Sequence, residues 1–232
     1  MRRSTAAIAF LTRFPIRTAF TAEDVGRAAI FYPVVGAGIG ALQLGLFRLA
    51  RAYVSPLALA VLVVSLSAWA TRGLHLDGLA DFADGLGGGR SREDALRIMK
   101  DSRIGAFGAI ALVLVLAAKI AATESLASPV YLVLAPALAR WTPVVLGFLL
   151  PDVREGSAPV SHVGKMEVVG ATILTGALSL LALGLAAAMW LSVVVVIVLV
   201  GWMARRRLGG VTGDVLGACV ELAEAAALLV AA

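Results

Sequence analysis

Val168-Val-Gly-Ala-Thr-Ile-Leu-Thr-Gly-Ala-Leu-Ser-Leu-Leu-Ala-Leu-Gly-Leu-Ala-Ala-Ala-Met-Trp-Leu-Ser-Val-Val-Val-Val-Ile-Val-Leu-Val-Gly-Trp-Met-Ala204 contains no charged residue, and it decides the fold. A helix of about 20 apolar residues crosses roughly 30 Å of hydrocarbon. The run is too long for one crossing, so it reads as two, broken near Ala186–Trp190 and ended by Arg205–Arg207. The whole chain has the same character. Its 232 residues are 60% hydrophobic and only 15% charged, with a mean hydropathy of +0.95. Soluble domains do not reach such values. The fold class is therefore all-α, a polytopic transmembrane helical bundle.

Working outward from this run, a last span fits 215–231. Upstream, spans fit 29–49, 56–73, 105–123 and 129–149, for about seven in all. Gly36, Gly38 and Gly40 in the first would let a neighbouring helix come close. Residues 1–28 interleave Ile8, Phe10, Leu11, Phe14 and Ile16 with Arg13 and Arg17, the pattern of a segment lying along a membrane surface. There is no small-residue cleavage site, so a removable signal peptide is not expected. Cys219 is alone, which excludes a disulfide framework or thiolate zinc site.

The net charge of +5 is no sign of nucleic-acid binding, because in such a chain basic loops set orientation. If spans alternate, the N-terminus, the 74–104 segment, the 151–167 loop and Arg205–Arg207 share one side. The other keeps Arg48 and Arg51, plus Lys119 if its long stem carries the charge to the interface. The basic side is expected to be cytoplasmic, in the cell inner (plasma) membrane.

On that side lies His75-Leu-Asp-Gly-Leu-Ala-Asp-Phe-Ala-Asp-Gly-Leu-Gly-Gly-Gly89, an Asp/Gly-rich stretch read as the active-site loop. If helical, it places Asp77, Asp81 and Asp84 on one face. Three repelling carboxylates call for a cation, and Mg2+ is held by carboxylates together with substrate phosphates. Gly85 and Gly87–Gly89 suit a sharp turn or close approach of backbone to phosphate. His75 reads as a structural hydrogen-bond partner sooner than a ligand. Ser91 reads as the N-cap of a short helix whose Glu93, Asp94, Arg97 and Lys100 complement its dipole.

Lys100 and Arg103, with Asp101 between them, can bind phosphate oxygens or be solvated helix-end charges. Gly209, Gly210 and Gly213 form a glycine-rich turn into the last span, along which Asp214, Gly217, Glu221 and Glu224 recur at helical spacing. Carboxylates inside a membrane helix should face the bundle or a wet cavity. Asp214 reads either as a partner of the aspartate stretch or as a helix cap. Arg140 needs an anion, a protein carboxylate or a substrate phosphate.

His75–Gly89, Ile98-Met-Lys-Asp-Ser-Arg-Ile-Gly105, Phe10-Leu-Thr-Arg-Phe-Pro15 and Arg207-Leu-Gly-Gly-Val-Thr-Gly-Asp-Val-Leu-Gly217 together resemble cobalamin synthase, the adenosylcobinamide-GDP ribazoletransferase family, over nearly the full length. The loop Arg154–Lys165 departs from the family's glycine pattern, which leaves His162 and Lys165 without a role. The resemblance implies a single integral-membrane domain over 1–232 and a Mg2+-using enzyme. It implies that the 5′ oxygen of α-ribazole, or of its phosphate, displaces GMP from adenosylcobinamide-GDP. It leaves open a homo-oligomer or a complex with other proteins of the B12 pathway.

The expected site comprises Asp81, Asp84, Asp101 and Asp214 as catalytic residues. Arg13, Gly87, Gly88, Gly89, Lys100, Arg103, Arg140 and Gly213 are expected to bind substrate, and Asp77, Asp81 and Asp84 to hold the metal. Transfer between a diphosphate and an alcohol needs charge neutralisation and in-line positioning, which carboxylate-held Mg2+, Lys and Arg supply. Which aspartate takes the hydroxyl proton is not legible.

A CDP-alcohol phosphotransferase shares Asp81-Phe-Ala-Asp84-Gly85, but its motif needs Ala and Arg where Gly88 and Gly89 stand. An ion-coupled transporter would carry its charges near the midplane on broken helices; here most lie in loops on one face.

Overall fold

The computed structural model describes residues 2–154 and 162–232. Every regular element among them is helical, apart from one bridge between Asp152 and Val211. Helix α1 (Arg2–Leu11) buries Ala6, Ala7 and Leu11 against the bundle. A capping box of Thr21 and Asp24 starts α2 (Ala22–Arg27), and a 3-10 turn leads into α3 (Tyr32–Ala50). The expected surface segment 1–28 is therefore two packed helices joined by extended chain. The first spanning run, Ala22–Ala50, starts earlier than the expected 29–49.

Helix α4 (Pro56–Ala70) starts with proline behind the Ser55 cap, and α5 (Leu74–Gly88) follows at 90° to it. Arg72 and Gly73 make that corner with φ of 57° and 70°, two successive left-handed residues that no helix can pass through. Helix α5 has 15 residues and carries three aspartates, so it is too short and too polar to cross by itself. It packs in the head of the bundle against α7 (Ala106–Glu124) and α11 (Gly213–Ala231), with α6 (Arg92–Ile98) beside it. The aspartate stretch is thus a helix, not a loop: its apolar Leu79, Ala80 and Phe82 are buried, Asp84 is buried with them, and Asp77 and Asp81 are left more open.

Helix α8 (Tyr131–Leu149) is the central strut. Gly36 and Gly40 of α3 lie so close to it that an added Cβ would meet the carbonyl oxygens of Pro136 and Leu132 at 2.3 and 2.2 Å. Gly38 faces open space, so only two of the three expected contact glycines serve. The long apolar run holds two helices, α9 (Lys165–Ser179) and α10 (Leu183–Arg207). Its break is at Leu180–Ala182, earlier than Ala186–Trp190. The Trp190 indole N–H donates to Ser179 Oγ at 2.9 Å across it. A continuous helix would hold those residues about 16 Å apart, so the chain turns back here.

By length and composition 4 runs can cross a membrane, or up to 5 with α4 and α5 taken as one bent span. This is fewer than the expected seven. Lys165–Arg207 passes as one run although it folds as two helices, and the acids of α11 exclude it from the count. The chain is a membrane protein of the all-helical class.

Candidate active site

The site is set by the crossing of α5 and α11. A Cβ on Gly78 would stand 2.9 Å from Asp214 O and 3.0 Å from Asp214 Cα, and one on Gly217 would stand 3.3 Å from His75 Cα. The two backbones therefore touch, which brings Asp77 and Asp81 up to the first turn of α11. Burial, then the charges of Asp214, Asp77 and Asp84, push the Asp81 carboxyl up to about 6. Carboxylates from two distant parts of the chain thus crowd one another, as the helical spacing and Asp214 suggested.

Two cavities meet here. One of about 270 Å3 is bounded by Phe10, Tyr32, Leu216 and Val220, with Asp77, Gly213 and Asp214 at its polar end. The other, about 720 Å3, has Arg72, Lys100, Asp101 and Arg103 around it and Asp81 within it. Asp77 lines both.

Asp84 is differently employed. Its two oxygens accept hydrogen bonds from the N–H groups of Gly105 (2.7 Å) and Gly108 (2.8 Å), the free amides at the start of α7. It is buried, and a Cβ at either glycine would collide with it. Its place is a helix cap between α5 and α7, not the third corner of a metal triad. Asp84→Ala is expected to cost about 1–3 kcal/mol, and so to lower the melting temperature in detergent by several degrees. An unchanged melting curve with lost turnover would return it to the ligand set.

The glycines after Asp84 mostly serve packing. Added Cβ atoms on Gly87 and Gly89 would overlap the Phe107 ring and Ala95; Gly88 alone borders a third cavity, of about 470 Å3, with Asp84, Asp101 and Arg103. Arg207 ties the end of α5 down by donating to Gly89 O at 2.8 Å and Leu86 O at 3.2 Å. Gly209, at φ 87°, ends α10, and a Cβ on Gly210 would stand 2.1 Å from Pro151 O, so of the turn's glycines only Gly213 faces a cavity.

Asp101 accepts both side-chain N–H groups of Arg103, at 3.0 and 2.7 Å, which hold its carboxyl down to about 2. The pair stands at the mouth of the larger cavity beside Lys100. Arg13 lies outside both linings: its guanidinium is 4.2 Å over the Trp69 ring and its backbone N–H donates to Ala70 O at 2.8 Å. Arg140 is fully buried and paired with Glu224, so its anion is a protein carboxylate and no surface is left for a substrate. Lys119 joins them, 2.8 Å from Glu224 and 2.9 Å from Glu221. Both glutamates face the bundle, as their cost in lipid demands. His75 is buried against Gly217, and its Nδ1 has no partner among the described residues, so the expected structural hydrogen bond is not seen on that nitrogen.

Two functional residues escaped the sequence reading. Thr212, not Asp214, caps α11 by accepting from the Val215 N–H. Arg154 donates to Asp214 at 3.3 Å and to Leu96 O at 2.7 Å. It is delivered by the Asp152–Val211 bridge, where the Val153 N–H donates to Val211 O and the Val211 N–H donates to Pro151 O. The loop from Arg154 to Lys165 is described only at its ends: Gly156 and the rest of 155–161 lie outside the described residues. Because Thr212 holds the cap, Asp214→Ser is expected to leave α11 intact and to lower turnover on the order of 100-fold. Near-normal turnover would reduce Asp214 to a structural residue.

No three His, Cys, Asp or Glu side chains among the described residues converge closely enough to cage a metal alone. Mg2+ does not require that, since it is commonly bound by one or two carboxylates plus waters and substrate phosphates. The carboxylates of Asp77 and Asp81, beside an Asp214 held by Arg154, fit such a partial site.

Residues 3–232 match the family model described as Cobalamin-5-phosphate synthase. Among curated proteins, the adenosylcobinamide-GDP ribazoletransferase of Chlorobaculum tepidum is 40% identical over 238 residues, 97% of this chain and 93% of its own. Those of Leptothrix cholodnii and Pseudomonas paraeruginosa are 41% and 40% identical, covering 96% of this chain and 92% and 94% of theirs. No solved structure matches.

Proposed function

Because this chain belongs to the cobalamin-5-phosphate synthase family, we propose that it has the ribazoletransferase activity for which its relatives are named. The reaction moves the adenosylcobinamide-phosphate group of adenosylcobinamide-GDP to a free ribose hydroxyl oxygen of α-ribazole, or of its 5′-phosphate, whose phosphorylated 5′ oxygen cannot be the one that attacks. The acceptor O–P bond forms as the bridging P–O bond of the diphosphate breaks. GMP leaves, the acceptor's proton passes to a carboxylate or solvent, and adenosylcobalamin or its 5′-phosphate results.

The observation that carries this reading is the junction of two cavities at Asp77, with Asp81 and Asp214 beside it and Lys100 and Arg103 on the larger one. Such transfer needs little covalent help; positioning and charge neutralisation do most of it. Lys100 and Arg103 offer donors to phosphate oxygens, and Asp101 orients Arg103 through its two-pronged contact. Asp77 and Asp81, with Asp214 opposite, would hold Mg2+, which when bound polarises the diphosphate and stabilises the leaving phosphate. Arg154 fixes Asp214 in the first turn of α11.

Purified protein given adenosylcobinamide-GDP, α-ribazole and Mg2+ is expected to release GMP. Absence of GMP release from folded protein would overturn the reading.

We propose that the site faces the cytoplasmic side of the plasma membrane; the gathering of Arg and Lys on its side supports this. Single cysteines at Ser91 and Ser55, both exposed, in a Cys219-free background test this in intact cells. Ser55 is expected to be labelled from outside and Ser91 protected; the reverse pattern inverts the topology.

A further inference from the structure

The two cavities differ in a way that divides the substrates between them. The smaller has a stacked aromatic pair, Phe10 and Tyr32 with ring centroids 5.9 Å apart, and the aliphatic Leu216 and Val220 of α11. Its charges are confined to one end, at Asp77 and Asp214. No Lys or Arg among the described residues lines it, so a phosphate placed there would be desolvated against carboxylates and apolar groups, at high cost. A flat, uncharged ring suits it, because aromatic walls offer stacking and edge contacts. The larger cavity differs: besides Asp77, Asp81 and Asp101 it is lined by Arg72, Lys100 and Arg103, which offer donors to phosphate oxygens.

Size agrees with polarity. About 270 Å3 lies just below the usual range of small-molecule sites. A corrinoid joined to a guanosine diphosphate far exceeds it; a nucleoside base does not.

Resting on the ribazoletransferase reading, we propose that the smaller cavity is the acceptor subsite. It holds the aromatic base of the ribazole between α1, α3 and α11, while the diphosphate of the donor lies in the larger cavity, against Arg72, Lys100 and Arg103. Asp77, the charged residue common to both, then marks where the attacking ribose oxygen meets the donor phosphorus. The nucleoside enters base first, with its ribose towards Asp77 and Asp214, and the oxygen attacks from the side opposite the departing GMP. The walls contributed by Leu216 and Val220 consequently set which bases are accepted.

Steady-state kinetics of wild type, Val220→Phe and Leu216→Ala, each with adenosylcobinamide-GDP and ribosides of benzimidazole bases of increasing size, test the assignment. Val220→Phe narrows the cavity and is expected to raise the KM for α-ribazole about tenfold or more, since a hydrophobic pocket discriminates by roughly 10–200-fold per methylene. The KM for adenosylcobinamide-GDP should stay within about twofold of wild type. Leu216→Ala widens the cavity, and is expected to shift relative kcat/KM towards the bulkier base by about tenfold. If Val220→Phe does not fold, the Leu216→Ala base preference alone decides. A rise in donor KM instead, or an unaltered base preference, overturns the subsite while GMP release by wild type leaves the transferase reading standing. No GMP release from wild type removes both.

Discussion

Asp81→Asn is expected to abolish measurable GMP release while leaving a folded, membrane-inserted protein. Asparagine has nearly the same shape, so α5 keeps its packing through Leu79, Ala80 and Phe82. What is lost is one negative charge at the place where three other carboxylates already act on it. In the metal-free protein that loss relieves repulsion, so the variant should melt no lower than wild type, and the crowding that burial and Asp214 impose should ease. With substrate present the sign reverses. A hard cation bound between carboxylate and phosphate depends on formal charge, and a neutral amide is a poor substitute. Removing a single group that stabilises developing charge typically costs 10^2–10^3 in rate, and removing a metal ligand should cost no less. The same reasoning requires wild-type turnover to vanish in EDTA and to return with Mg2+. Full activity in EDTA, or an active Asp81→Asn enzyme, would sink the metal assignment without touching the family assignment.

Asp81 was legible in the sequence because its information is local. Offsets of four and three from Asp77 and Asp84 fix a helical face wherever the helix goes. The apolar runs were legible for the same reason: hydrocarbon thickness sets a length that a one-dimensional string can be measured against. Asp84 shows the limit. It has the same spacing, yet its partners are the amides of Gly105 and Gly108 about twenty residues on, and nothing in the string says that α7 will begin against it. The glycines misled in a related way. Gly87 and Gly89 read as backbone room for phosphate, but an absent side chain makes room equally for Phe107 and Ala95. Arg154 was hidden because its delivery depends on a bridge between residues 152 and 211, a long-range pairing with no local signature. The break in the long apolar run was placed late because Ala186–Trp190 has no turn residues to mark it. The actual turn at Leu180–Ala182 has none either, and is held by the Trp190–Ser179 contact.

Glu224→Gln is expected to be the most destabilising single substitution in the bundle. Glu224 is fully buried between Lys119 and Arg140, with Glu221 completing a group of two cations and two anions drawn from α7, α8 and α11. As found, the group is neutral. With Gln at 224, one positive charge stands uncompensated in the buried interior, and breaking a buried pair from one side costs about 3–5 kcal/mol. In a chain of this size that lowers the melting temperature by roughly 6–20 °C, and much of the protein should fail to insert stably. Removing both members tells a different story. Arg140→Met with Glu224→Leu leaves Lys119 paired to Glu221 at 2.9 Å and restores neutrality. Apolar replacements of buried ion pairs are commonly neutral or stabilising. The double variant should therefore regain most of the lost stability. It should also regain turnover, because Arg140 has no exposed surface from which to reach a phosphate. A double variant that melts like wild type but releases no GMP would show that Arg140 acts on substrate after all, through a rearrangement that frees it from Glu224.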